Sequence, residues 1–545
     1  MSQDGSGLPL SHGQQGIWYL EQLFPGTSAY NVPAAWRISG GLDVLALRRA
    51  VRDVVARHAP LRSTFSTVDG EPRRFASAAA PVELSCHDHR RLTPDQHEAA
   101  VAAQTAEPFD LAAGPPCHFD LYRLDDEQHL LLATMHHLVT DGWSVGVLVR
   151  ELAAAYAAPH ALAPPPDFDY SAYVDWQRGL FDAPTRAEHA GYWRSRLAGA
   201  PSGLALPADG PGPDRPGLDA DRLSHDLPDR VLDACADTAR RLDASPFVVH
   251  LAAFVAVLHR WTGATDIVVG VPVAGRDHPA TEPLIGYFVN MVPVRVNCAE
   301  AFTFTELVRR VRVAAYDAYR HSKLPFSLLV EELRAPHDAG RSPVFQVTAV
   351  PHTPIPGLDL SGLRAVPLEL PRRHGPFELS LQVHGVRGDG ACHLRYRTNL
   401  FAPSTVEDLL RCYQTALEYA GTDPDGPVER VPSPRPATVV TTPGTGTGGA
   451  DPAGPLPGPG AGPRDVASRV AALVADALGV PKVSVEDDFF ELGGHSLRLA
   501  RLVSRLSQEF DIELDLADIV DDPTVGGIMA GVASALRRPA AHRQG

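Results

Sequence analysis

Residues 438–463 read TVVTTPGTGTGGADPAGPLPGPGAGP, with hardly any large apolar or aromatic side chain. A segment orders only when buried apolar surface offsets the entropy of fixing it, so this stretch is expected to be a flexible linker and not part of a core. It divides the 545-residue chain into a long body and a remainder of about 80 residues, a size that folds alone. The segment DAPTRAEHAGYWRSRLAGAP and the proline- and glycine-rich residues after it mark a second crossover near residues 185–215. The expected layout is a first lobe at 1–180, a second lobe at 181–437, the linker at 438–463, a small domain at 464–537 and a tail at 538–545.

Helical and strand patterns alternate through the body. Leu47, Ala50, Val51 and Val54 recur at helical spacing, and HLLLATM before His136 is an apolar run of strand length. SPFVVHLAAFVAVLHRW leads into DIVVGVPV, and a helix carrying Leu307, Val311, Ala314 and Ala318 follows. FELSLQV and CHLRYRT flank a Gly-Asp-Gly turn as a hairpin would. The class is α/β, without a short internal repeat. In the small domain, SRVAALVADALGV is an apolar-striped helix ended by Gly479 and Pro481, and Leu499, Leu502, Val503 and Leu506 mark another, so a small helical bundle is expected.

Charge and cysteine usage narrow the function classes. With 65 acidic against 49 basic residues and a net charge of -16, the chain carries no sequence-wide footprint for nucleic acid. Cys86, Cys117, Cys235, Cys298, Cys392 and Cys412 are scattered, without a C-x-x-C pair or a histidine grouping at zinc-ligand spacing; reduced structural thiols and no metal are expected. Met1 to Pro9 lacks a basic start and an apolar stretch, and no uncharged apolar run reaches the roughly 18–20 residues of a membrane span, so a cytoplasmic location without membrane contact is expected.

Two segments concentrate chemistry. MHHLVTDGWS places His136, His137, Asp141 and Gly142 at a strand-to-loop junction. Two histidines and a carboxylate invite a metal reading, yet adjacent residues leaving a strand point to opposite faces, so His136 and His137 would not readily share one ion. One can face a pocket while the other packs; a buried, hydrogen-bonded structural pair is the alternative. In DDFFELGGHSLRLARL, Gly493-Gly494 permits a tight turn and Ser496 stands where a helix begins, as an N-cap or as a modified residue.

The first segment resembles the HHxxxDG signature of condensation domains from nonribosomal peptide synthetases. LSHGQQGIWYLEQLFPGTSAYNVP, RHAPLRSTF, YSAYVDW, IGYFVNMVPVR, HSKLPFSLL and GRSPVFQV resemble that family's further motifs in order, over roughly residues 8–435. DDFFELGGHSLRLA resembles the peptidyl carrier protein motif over about residues 465–535. The resemblance implies a two-lobed pseudo-dimer like chloramphenicol acetyltransferase, followed by a helical carrier bearing 4′-phosphopantetheine on Ser496. It implies amide formation in a tunnel between the lobes, from an acyl thioester on an upstream donor carrier and an acceptor amine, without ATP or metal at this step.

The same resemblance assigns the central role to His137 and packing or loop support to His136, Trp143, Tyr287 and Asn290. Asp141 is expected to hold the loop against an arginine, Arg295 by preference and Arg62 next, and Gly142 to leave space for the pantetheine arm or simply to turn. A free α-amine has a pKa of about 7.7–8.0, so a strong base is not obligatory near neutrality. What remains is to hold amine and thioester together, take or relay a proton and steady the tetrahedral charge, and a neutral histidine can serve any of these.

Heterocyclising relatives replace the first histidines, and epimerising ones follow their carrier, so both are disfavoured. An ester-forming variant with a hydroxyl acceptor and a non-catalytic platform recruiting tailoring enzymes remain as alternatives. No adenylation domain separates the two units; if the 545 residues are the whole protein, a trans-acting adenylating enzyme is expected to load the carrier after a phosphopantetheinyl transferase has modified it, the alternative being that the chain is a piece of a longer protein. The opening motif is similar to those of domains that take an L-configured donor.

Overall fold

The computed structural model describes residues 7–434 apart from 77–81, 160, 182, 211–216, 301, 334–340, 353 and 386, and residues 463–537 apart from 479, 490–491, 493–495, 511, 513, 515–518 and 520–521. The expected tail and the expected linker, except Pro463, lie outside the described residues. Pro463 itself is the first residue of the helix Pro463–Leu478.

The first lobe is built on a five-stranded sheet in the order Arg364–Leu368, Asn31–Ser39, Gln128–His136, Cys117–Arg123, Leu84–Asp88. Two helices, Val44–Arg57 and Gly142–Ala157, pack on each other in this lobe. The first starts where Asp43 accepts the amides of Leu45 and Ala46, and buries Leu47, Ala50, Val51 and Val54, the spacing that predicts it. The strand Gln128–His136 is buried from His129 to its end, because it lies between two neighbours and beneath helices.

The second lobe carries a mixed six-stranded sheet in the order Asn290–Asn297, Asp266–Val273, Val347–Pro351, Leu379–His384, Ala391–Arg397, Ala220–Asp226. Leu379–His384 and Ala391–Arg397 pair antiparallel, the hairpin the sequence suggests. The helix Pro246–Thr262 is apolar on nearly every face and is accordingly buried along most of its length; Ser245 caps its start and Gly263, at φ 70°, ends it in the left-handed conformation.

The lobes are not consecutive blocks of sequence. Arg364–Leu368, expected in the second lobe, pairs antiparallel with Asn31–Ser39 of the first, and Leu358 and Leu360 enter the first lobe's core. The crossing strand sits at a sheet edge with Pro367 among its residues, where a missing amide donor is tolerated. Its half-exposed pattern gives little hydrophobic signal, which is why the sequence does not disclose the exchange.

Behind the body, helices Pro463–Leu478, Ser496–Phe510 and Val525–Arg537 enclose Val470, Val474, Leu499, Leu502, Leu506, Ile528 and Val532. Tyr19 and Leu23 of the body's helix His12–Leu23 join that cluster. All six cysteines are free thiols, and only Cys86 is exposed. Among the described residues no single helix is long and apolar enough to cross a membrane.

Candidate active site

His136 is the last residue of the central strand Gln128–His136, and His137 begins the loop that follows. The chain's alternation sends their side chains apart. His136 is 1% exposed; its Nδ1 accepts the Leu138 amide at 3.1 Å, which leaves Nε2–H to donate to Glu21 at 3.0 Å. His137 is held differently. Its backbone N–H donates to the Tyr30 carbonyl at 2.8 Å, and its ring Nδ1 lies 2.7 Å from the Thr140 carbonyl. A carbonyl can only accept, so Nδ1 carries the proton and the neutral ring keeps a lone pair on Nε2. Burial pushes the His137 pKa below the usual histidine value, against the Thr140 hydrogen bond that raises it, with the positive charge of Arg372 adding to the depression. The ring meets Tyr287 edge to face, centroids 5.1 Å apart.

Asp141 caps the helix Gly142–Ala157. One carboxylate oxygen accepts the Ser144 amide at 2.7 Å and Arg276 Nη2 at 3.2 Å; the other accepts the Phe288 amide at 3.1 Å. The expected partner Arg295 is elsewhere: its guanidinium makes a forked contact with Asp266, reaching 2.6 Å, and also donates to the Arg196 and Ala198 carbonyls. In the antiparallel strand ladder Arg295 pairs with Val268, and Asp266 is two positions on, on the same side. Arg62, the other candidate, ends the turn Ala59–Arg62 and lies within electrostatic reach of Arg74. The arginine that meets Asp141 is thus neither of the two.

Arg276 also donates to Ser144 Oγ at 2.9 Å and to the Leu284 carbonyl at 3.1 Å, and its guanidinium lies 3.9 Å from the centre of the Phe288 ring. Ser144 Oγ in turn donates to the Gly286 carbonyl at 2.9 Å. Tyr170, at the start of the helix Tyr170–Leu180, donates from its hydroxyl to the Tyr287 carbonyl at 2.7 Å. Residues 286–288 are therefore fastened beside the His137 loop by Asp141 and Ser144, and to the helix Tyr170–Leu180 by Tyr170. Sequence reasoning missed Arg276, Ser144 and Glu21; the one trace of Arg276 is a cation just beyond the apolar strand DIVVGVPV, and nothing in the pattern aims it at Asp141.

Gly142 is exposed at the first turn of its helix, and a Cβ built there would meet no atom within 4 Å. Protein packing does not require glycine here. Trp143 is 50% exposed and donates its indole N–H to the Glu282 carbonyl at 3.0 Å. Asn290 accepts the Phe326 amide and donates to the Ser322 and Leu324 carbonyls, each at 2.8 Å. Tyr287 also lines a cavity of about 220 Å³, together with Trp176, Gln177, His189, Asp277 and Lys323.

In the small domain, the helix Ser496–Phe510 begins at the serine; Gly493 and Gly494 lie outside the described residues. The amide-rich, positive start of a helix favours a phosphodiester, so the position suits a 4′-phosphopantetheine arm.

The chain matches the condensation domain family over residues 6–438 and the phosphopantetheine attachment site family over residues 468–532. It is 37% identical over 423 residues to phosphinothricin tripeptide synthetase PhsC of Streptomyces viridochromogenes, covering 74% of this chain and 38% of that protein. It is 33% identical over 449 residues to the isonitrile lipopeptide synthase of Mycobacterium tuberculosis, covering 79% and 18%. The chain thus spans well under half the length of these relatives. Among solved structures, the X-domain from teicoplanin biosynthesis superposes with a TM-score of 0.72 at 27% identity, over 79% of this chain and 99% of that one. The first condensation domain of the calcium-dependent antibiotic synthetase, at 24% identity and a TM-score of 0.67 over 78% and 98%, shares the fold.

Proposed function

The chain belongs to the condensation-domain family of nonribosomal peptide synthetases and carries a phosphopantetheine attachment domain behind it, and on that premise we propose that it joins a carrier-bound acyl or peptidyl thioester to the amine of an aminoacyl group held on Ser496. The pantetheine arm supplies a flexible thiol that carries the aminoacyl group as a thioester. The amine attacks the donor carbonyl, forming the C–N bond; collapse of the tetrahedral adduct expels the donor thiolate, and the nitrogen's proton balances the leaving thiol.

The observation that carries this reading is the tautomer of His137. With Nδ1–H tied to Thr140, the Nε2 lone pair is the ring's free acceptor, able to hold or take the ammonium-side proton as the C–N bond forms. The lowered pKa keeps that lone pair unprotonated near neutrality. His136 and Glu21 hold the strand end, while Asp141 and Arg276 hold the loop against residues 284–288; these are positioning roles. Gly142 leaves room beside the loop for a pantetheine arm.

The donor arrives on an upstream carrier protein, a phosphopantetheinyl transferase modifies Ser496, and a trans-acting adenylating enzyme supplies the amino acid. A non-catalytic reading has one point in its favour: a teicoplanin X-domain with this fold is found in complex with OxyB. Supplying both loaded carriers to the wild type and to His137→Ala separates the two readings. Product from the wild type and little from the variant is expected; no product from the wild type would overturn the proposal in favour of a platform. Intact mass of the holo protein with amino acid, ATP and Mg²⁺, with and without an adenylating enzyme, tests loading; acylation without the added enzyme would rule out the trans route.

A further inference from the structure

The fold also gathers three side chains that the sequence keeps apart. His352 follows the strand Val347–Pro351, His393 lies in Ala391–Arg397, and Glu369 follows the crossing strand Arg364–Leu368. One ligand-type atom from each lies within 4.8 Å of the others. His352 Nε2 is 2.6 Å from Glu369 Oε1, and the two imidazole centroids are 5.4 Å apart.

The atoms facing away from this point are already held. Arg222 Nη1 donates to Glu369 Oε2 at 2.7 Å, leaving Oε1 turned toward His352. Ser224 Oγ lies 2.8 Å from His393 Nδ1, leaving Nε2 as that ring's other ligand atom. Partners of this kind fix ligand orientation in metal sites. Metal ligation needs unprotonated donor atoms, so the proton shared between His352 Nε2 and Glu369 Oε1 moves to Nδ1 or to solvent as the ion binds.

We propose that His352, Glu369 and His393 bind a divalent transition metal of the zinc class, with solvent completing its coordination. Bonds of about 2.0–2.1 Å in a tetrahedron place ligand atoms about 3.3 Å apart, so His352 and Glu369 separate slightly and His393 turns inward. Glu369 is 37% exposed at its side chain, which gives the ion a route from solvent. Arg222 adjoins the site and tempers its affinity through its positive charge. His384, whose ring is 6.0 Å from that of His352, faces Asp389 at 3.5 Å instead. Because Glu369 follows the strand paired with Asn31–Ser39 while both histidines belong to the second sheet region, the bound ion ties the two lobes together.

The test uses the full chain without an affinity tag, stripped with chelator and dialysed against Zn²⁺ or Co²⁺. One equivalent of metal, a visible Co²⁺ absorption band and a rise in melting temperature on Zn²⁺ addition are expected. His352→Gln and His393→Ala should each lose the band and the thermal shift, and Ser224→Ala should weaken binding about 10–100-fold, with condensation activity retained in all three. If His393→Ala fails to fold, His352→Gln, altered at a partly exposed position, decides the matter alone. Metal binding that persists unchanged in the variants, or no binding by the wild type, overturns the proposal.

Discussion

Arg276 and Asp141 form an ion pair 3.2 Å long, with side chains 4% and 1% exposed. The carboxylate caps a helix of the first lobe, whereas the guanidinium follows the strand Asp266–Val273 of the second. Asp141 also accepts the Phe288 amide, so one residue sets the height of the His137 loop, the helix start and the approach of the segment that brings Tyr287 against His137. Asp141 is buried and its carboxylate accepts three hydrogen bonds, the surroundings expected of an anchoring residue.

Removing either partner strands a buried charge, which costs about 3–5 kcal/mol. Asp141→Ala and Arg276→Ala are therefore expected to lose stability in urea unfolding together with activity. Arg295→Ala breaks a pair that is 19% and 32% exposed, and should cost about 1 kcal/mol or less after solvent screening, plus the loss of its carbonyl contacts. An Asp141→Ala protein that unfolds like the wild type yet makes no product would transfer the carboxylate from an anchoring role to a chemical one.

His137→Ala removes a partly buried ring whose one polar side-chain bond among the described residues is to the neighbouring Thr140 carbonyl, so folding and phosphopantetheine loading should survive. Product formation should fall by about 10²–10⁴, the range for losing a positioned proton acceptor. His136→Ala should behave in the opposite way, because it strips the buried Glu21 of its partner. Melting curves beside single-turnover rates distinguish the two histidines; equal stability losses would mean that their division of labour is wrong.

What the sequence discloses follows from how local each signal is. The α/β alternation, the helix carrying Leu47 and Val54, and the divergence of His136 and His137 depend on neighbours a few residues apart, and the structure repeats them. The crossing of Arg364–Leu368 into the first sheet and the meeting of Asp141 with Arg276 join segments far apart along the chain. Arg295 sits in a recognisable motif and Arg276 does not, but an arginine's partner is set by where its strand ends. In the ladder, Asp266 is near enough to claim Arg295, and Arg276, beyond the other end of the same strand, is carried to the loop.

Gly142 offers a cleaner probe of occupancy than any charged residue. Its added Cβ would meet no protein atom within 4 Å, and helix propensity favours most residues over glycine at an exposed helical position. Gly142→Leu should therefore match or exceed the wild type in thermal stability. If the space beside the loop admits the pantetheine arm, the same variant should form much less product, with acceptor loading unchanged. Wild-type turnover would show that the arm passes elsewhere.

Ser496→Ala should abolish the mass increment of one phosphopantetheine after treatment with a transferase and coenzyme A, since only the hydroxyl can attack the phosphate. The helix Ser496–Phe510 should persist, because the change falls at its first residue and Leu499, Leu502 and Leu506 still bind it to the domain's core. Circular dichroism checks the fold and intact mass the modification. The full increment on the variant would place the arm on another side chain.

Acid sensitivity should be traceable to a buried histidine of the second lobe. His250, 3% exposed in the helix Pro246–Thr262, has its pKa lowered to about 4 by burial, and its Nδ1 lies 2.8 Å from the Tyr413 hydroxyl. In the unfolded chain the same ring titrates near 6.5. Above that value both states are neutral and the group contributes nothing to pH dependence. Between about 6.5 and 4 the unfolded state binds the proton that the folded state refuses, so stability falls as pH falls, by about 3 kcal/mol in total for this group. His393 and His137 are shifted the same way and add to the slope. His250→Gln keeps an amide for Tyr413 but no longer titrates. Its urea midpoint should drop less than that of the wild type between pH 7.5 and 4.5, and an identical drop in both proteins would show that the buried ring is not what makes the fold acid-sensitive.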